Sequence, residues 1–283
     1  MSSFITNSSI ESPSEQIRHT SKPKAWYRPT ISPEHGVYVV LLVSFLTGAA
    51  ATQHWHWKTT IALICAFCGF QAEHPLVLQI KQRKSLKPRF LIWGGVYTGI
   101  AVTIALFLYL TLDIDARTPL LWIYLGAIVA FAMDAISVFY REQKSILNEV
   151  ITFAAVCLST PFAYVVTTGT LSTAAVGLWI LNTLFFSSTI FAVKFRKSKT
   201  HSVAPGVTYH TIASLIIMIF WYLSWLTPIA ALAFGIALLK FGFILWQQEW
   251  YCSTKIQHIA MLETLSSLGF LVIAALSVLP VHL

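Results

Sequence analysis

"FLIWGGVYTGIAVTIALFLYLTL", residues 90–112, decides the fold. This mostly apolar run is longer than the roughly 20 residues a helix needs to cross a bilayer. Eight further runs of the same kind lie near 36–51, 58–72, 119–139, 148–167, 171–193, 208–226, 228–249 and 260–281. The expected architecture is an all-α, polytopic membrane helix bundle of about nine spans. Composition agrees: 56% of the 283 residues are hydrophobic, only 11% are charged, and the mean hydropathy is +0.70. Those values lie outside the range of ordinary soluble domains and point to membrane lipids, not nucleic acid, as surroundings.

Residues 1–33 are polar, rich in Ser and Pro, and lack the apolar core of a signal peptide. They read as a flexible cytoplasmic tail ahead of a single transmembrane domain, 34–283. The four cysteines, at 65, 68, 157 and 252, lie in or beside apolar runs and form no paired metal motif, so they are expected to be packing thiols.

Nine spans put the two ends of the domain on opposite sides. Sixteen of the nineteen Lys and Arg residues fall on the side of the amino-terminal tail; Lys58 and Arg117 fall on the other, and Lys240 lies within a span. By the positive-inside rule the tail side is cytoplasmic, with Trp55, Trp57, Trp221 and Trp225 anchoring the opposite interface. The expected location is a bacterial inner membrane or an internal membrane. Most acids share the basic side, whereas Asp113 and Asp115 lie outside. The outer loops are short and leave little room for a site.

"IKQRKSLK" from Ile80 returns as "VKFRKSK" from Val193, an offset of 113 residues. That offset would superpose spans one to four on spans five to eight, with the ninth left over. Parallel repeats of this kind commonly set a site between the halves.

Four corners of the tail side carry the polar residues. The first is "PEHGVY", with Glu34 and His35, where an acid and a histidine at a helix start are also ordinary furniture. At the second, Glu73 and His74 end a span, and His74 shares a helical stripe with Lys81 if the helix continues past Pro75. Such a pair suits a phosphate or a carboxylate. At the third, Asp134 and Arg141 share a stripe but stand about 10 Å apart along it, so Asp134 requires another partner. Glu149 follows at the start of span five, and Lys194 ends span six. The fourth corner holds Glu249, Lys255 and Glu263. Lys240 is expected deep in span eight, facing inward and pairing with Asp134 or Glu263, with snorkelling as the alternative.

The segments "PEHGVYVVLLVSFLTGAA", "HPLVLQIKQRK", "FYREQKSILNEV", "FAVKFRKSK" and "MLETL", taken in order, resemble the YwiC-like family of multi-span bacterial membrane proteins, from about Pro33 to the carboxyl end. More remotely, nine spans and a polar tail-side face are similar to UbiA-type prenyltransferases. That resemblance implies an isoprenyl diphosphate held through Mg²⁺ by aspartate-rich motifs after spans two and six. Here those positions read "QAEHP" and "SSTIFAVKFRK", without aspartate, which leaves the Mg²⁺ clamp unsupported.

The leading expectation is a membrane protein that binds an amphipathic lipid, an isoprenoid or a quinone-like ligand at a cytoplasmic-facing polar cavity. Transfer of a prenyl-like group is the activity the remote resemblance implies. The binding residues expected to converge there are His35, Glu73, His74, Lys81, Asp134, Arg141, Glu149, Lys194, Lys240, Lys255 and Glu263. A small-molecule transporter and a non-catalytic assembly scaffold are the alternatives.

Overall fold

The computed structural model describes residues 29–32, 35–82, 85–197 and 202–278. The tail before Pro29, together with Glu34, Arg83, Lys84 and Lys199, lies outside them. Among the described residues, nine helical stretches are long and apolar enough to span a membrane, so the chain is an integral multi-pass helical protein. The spans are α1 (His35–Thr52), α2 (Trp57–Lys81), α3 (Pro88–Thr111), α4 (Ile114–Tyr140), the pair α5 (Ile146–Cys157) and α6 (Ser159–Thr168), α7 (Thr173–Lys197), α8 (Ala204–Tyr222), the pair α9 (Pro228–Ala233) and α10 (Gly235–Trp246), and α12 (Ile256–Leu276). A short helix, α11 (Gln248–Ser253), links the last two spans.

Each boundary has a local cause. Pro88 opens α3 at a position where the missing N–H has no helical partner to lose. Ser145 caps α5 by accepting from the Asn148 N–H at 3.2 Å, and Thr227 caps α9 by accepting from Ala230 at 3.1 Å, just before Pro228. Gly169 ends α6 in the left-handed conformation, and Arg141 ends α4 in the same way at φ 65°, a rarer state for a residue with a side chain. Helix α2 does run on through Pro75, so span two ends at Lys81 instead of near residue 72.

Two spans are interrupted where continuous helices were expected. Pro161 cannot donate to the Cys157 carbonyl, and span five breaks at Leu158 between α5 and α6. Span eight breaks at Phe234, where Ala237 donates back only three residues, at 2.9 Å.

The centre is made by α1, α5, α6 and α7. Gly48 of α1 lies directly against the Thr160 backbone of α6, with no space for a Cβ, and Gly177 of α7 lies against the Trp225 carbonyl in the same way. Close backbone approach through small residues is how helices associate in lipid, where apolar burial alone gives little preference. Hydrogen bonds stitch this seam: Thr160 Oγ1 donates to the Ser44 carbonyl at 2.8 Å, and Ser44 Oγ makes a longer contact with Asn182 Oδ1 at 3.4 Å. Two apolar cores flank it. One is built on Phe45, Ala62, Leu108, Leu120 and Phe162, the other on Leu178, Phe185, Ile217, Phe234 and Phe270.

Neighbours recur on advancing by four spans. Span two packs on three and on four, as span six packs on seven and on eight; span four meets five as eight meets nine. Within the first half, α3 leans on α2 and scarcely touches α4.

Candidate functional site: an apolar cavity between spans one and five

The sparse contact of α3 with α4 opens a cavity of about 750 Å³, bounded by α1 to α6. Its walls are Leu, Ile, Val, Phe and Ala side chains, with Tyr109 toward the far face and Glu73 at the tail-side end. Among its described lining residues Glu73 is the one carboxylic acid, and there is no Lys, Arg or His. Several lining polar groups are already engaged. Tyr124 donates to the Ala105 carbonyl at 3.0 Å, Thr152 to Asn148 at 2.9 Å and Ser159 to Leu41 at 3.4 Å.

The other candidate residues fall into separate groups, not around one polar cavity. Buried Lys240 and partly exposed Glu263 form an ion pair at 2.8 Å between α10 and α12. Thr189 of α7 completes it, donating to Glu263 at 2.8 Å and accepting from Lys240 at 3.2 Å. The two charges meet because each lies about 10 Å from the tail-side end of its own antiparallel helix, six residues from Trp246 and seven from Ile256. Lys240 is thus shallower than a count to the end of the apolar run indicates. Asp134, the other partner considered for it, instead accepts from Asn148 Nδ2 at 2.9 Å.

A second pair, Lys194 with Glu149 at 3.0 Å, is about one-third exposed, and Lys194 also donates to the Lys144 carbonyl at 2.7 Å. Arg141, Lys81, His35 and Lys255 are exposed at helix ends, and His74 is half-buried beside Glu73. These groups lie apart because each sits at the end of a different helix around the seam, and the seam itself is filled by packed small side chains. Cys65 and Cys157 are buried and Cys68 and Cys252 half-buried, and none of the four is in a disulfide.

Residue-by-residue reading missed Thr189, Asn148, Arg196 and Tyr251. The first two are hydroxyl and amide partners without any charge to draw notice. Arg196 donates from one nitrogen to the Thr254 carbonyl at 2.6 Å, while its Nη1 is buried without a partner among the described residues. The Tyr251 hydroxyl is likewise buried and has no hydrogen-bond partner among the described residues. Burial raises its pKa, and nearby Glu263 adds to the rise, whereas Arg196 opposes it.

The Mg²⁺ clamp implied by the remote resemblance does not fit. Glu73 is the only acid in α2, and the tail-side end of α7 presents Lys194, Arg196 and Lys197 with no acid in the helix. Among the described residues no three His, Cys, Asp or Glu side chains gather as metal ligands. On the far face a smaller pocket of about 280 Å³ is lined by His56, Lys58, Asp113 and Thr167, among others.

Residues 31–164 match the family model described as YwiC-like protein. No curated protein matches the chain. The match stops short of the "FAVKFRKSK" and "MLETL" segments, yet it takes in every residue that lines the large cavity, from Leu41 to Phe162. The chain is a multi-pass membrane protein whose first four spans, and most of the fifth, are similar to the YwiC-like family.

Proposed function

We propose that this protein binds an amphipathic lipid or isoprenoid, with the hydrocarbon part in the cavity between α1 and α6 and the head at the Glu73 end. The carrying observation is the cavity itself: about 750 Å³, mostly apolar, with Glu73 at its tail-side end. Its volume lies in the range of small-molecule sites, and its walls have their few polar groups in fixed places. Lys81 and Arg141 are exposed at the tail-side ends of α2 and α4, two of the helices that bound the cavity. With most cations on that side, the proposed orientation places the head toward the cytoplasm of a bacterial inner membrane.

Native mass spectrometry of the purified protein tests the reading. Wild-type protein is expected to carry one single-chain lipid or isoprenoid per chain, and Ala130→Trp, which fills the cavity from the half-buried face of α4, is expected to lose it while remaining folded. Protein that carries only bulk phospholipid, in amounts Ala130→Trp leaves unchanged, would refute the proposal.

A further inference from the structure

Asp134 lies inside membrane-spanning α4, six residues before Tyr140 and so about 9 Å from the tail-side end of that helix. It is 8% exposed, and among the described residues it enters no ion pair. Its hydrogen bond comes from Asn148 Nδ2 of α5 at 2.9 Å, and a neutral amide leaves the charge of a carboxylate in place. A buried carboxylate in a membrane helix needs a positive partner. The basic groups of the same corner are placed elsewhere. Lys194 bonds to Glu149 and to the Lys144 carbonyl, and Arg141 is exposed past the end of α4.

Asn148 supplies a second observation. It is 5% exposed, and its Oδ1 is buried with no hydrogen-bond partner among the described residues. The bonds that Nδ2 donates, to Asp134 and at 3.3 Å to the Gln143 carbonyl, fix which way round the amide stands. Oδ1 belongs to the same planar group. A carboxylate, an amide oxygen and a backbone carbonyl therefore stand together between α4, the turn after it and the start of α5. The turn holds them there: Arg141 reverses the chain in the left-handed conformation, the Glu142 N–H donates to the Ser137 carbonyl at 2.8 Å, and Ser145 caps α5 through the Asn148 N–H.

All three groups are oxygen acceptors, the kind of ligand that hard cations take at about 2.3 to 2.6 Å. A water bonded to Asn148 Oδ1 would leave the charge of Asp134 uncompensated. One carboxylate offsets one positive charge, and a divalent ion would leave a surplus where surplus charge is costly. We infer that Asp134, Asn148 and the Gln143 carbonyl form a site for a small monovalent cation such as sodium. The ion ties α4 to α5 one helical turn from Ala130 and Thr152 in the wall of the cavity, and its binding stands independently of the lipid reading.

Equilibrium binding of radioactive sodium to the purified full-length protein, by scintillation proximity at constant ionic strength, is the test. Wild-type protein is expected to bind one sodium per chain saturably, in competition with unlabelled sodium chloride and not with choline chloride. Asp134→Asn, which keeps an acceptor for the Asn148 amide, is expected to bind about tenfold more weakly, and Glu149→Gln, which removes the neighbouring carboxylate, to bind as wild type. Wild-type protein without saturable sodium binding overturns the inference, and an infrared band of a protonated carboxyl that Asp134→Asn removes would then identify a proton as the partner. Binding that Asp134→Asn leaves unchanged, or that choline displaces equally, means diffuse counter-ions only and overturns it as well.

Discussion

Lys240 shows how a charge is kept inside the hydrocarbon region. Its ammonium touches Glu263 and Thr189 and lies 5.5 Å from the centre of the Phe185 ring, so Coulomb attraction, a hydroxyl and a π-face together replace the lost water. Removing one member strands the other. Lys240→Met is expected to cost about 3 to 5 kcal/mol, and the double variant Lys240→Met with Glu263→Leu to regain most of it. Thermal unfolding in detergent would show this as a large fall in Tm that the second substitution reverses; two additive losses would contradict it. Tyr251 behaves in the opposite way. Its buried hydroxyl has no hydrogen-bond partner among the described residues, so Tyr251→Phe removes a desolvation penalty and should be neutral or stabilising by about 1 kcal/mol. Because its folded-state pKa lies above that of a free phenol, the group's contribution is intact below about pH 10 and lost as pH rises further. Tyr251→Phe should accordingly flatten the alkaline loss of stability, a change measurable by unfolding between pH 8 and 11.

At the scale of helices, packing through small residues sets which spans touch. A Cβ at Gly48 would enter the Thr160 backbone, which can move only with the whole of α6, whereas Gly95 on α3 faces open space. Gly48→Ala should therefore destabilise by about 1 to 3 kcal/mol, the usual range for overpacking, while Gly95→Ala is nearly silent. Equal effects in a chemical-denaturation comparison would place the α1–α6 contact elsewhere. The bend at Leu158 has its own signal in Pro161, legible in the sequence as a residue that cannot complete a helix bond. The bend at Phe234 has no such signal, because a few residues of tighter winding need no special side chain. Nine spans were legible because each is a long apolar run, and span two was read too short because "QAEHP" resembles a helix end. The helix passes through Pro75 nonetheless, and the side chain of Gln71, one turn before it, accepts from the Tyr38 hydroxyl at 2.6 Å.

At the scale of the whole molecule, the seam of α1, α5, α6 and α7 joins a half that contains the cavity to a half that contains the buried ion pair. The basic side is common to both. Single cysteines placed at Lys144 and at Lys58, in a background without the native thiols, are expected to label from opposite sides of intact cells, with only Lys58→Cys open to an impermeant reagent from outside. Reaction of both from one side would break the alternation of spans, and the reverse pattern would invert the proposed orientation. Of the candidate residues, Glu73 was legible as an acid where a span nears its wet end, and Glu263 was one of two acids considered for Lys240. The cavity was not legible, since it arises from what α3 and α4 fail to touch.

Sequence alone determined the number of spans, their ends to within a turn or so in most cases, and which side collects the charge, because hydrocarbon sets a minimum apolar length and cations are disfavoured within it. Tertiary structure alone decided which face of each helix turns inward, that Lys240 meets Glu263, and that a space remains between α3 and α4. In lipid the outer face of a helix is as apolar as its buried face, so no periodic alternation in the sequence records the difference; only the fit of one helix against another does.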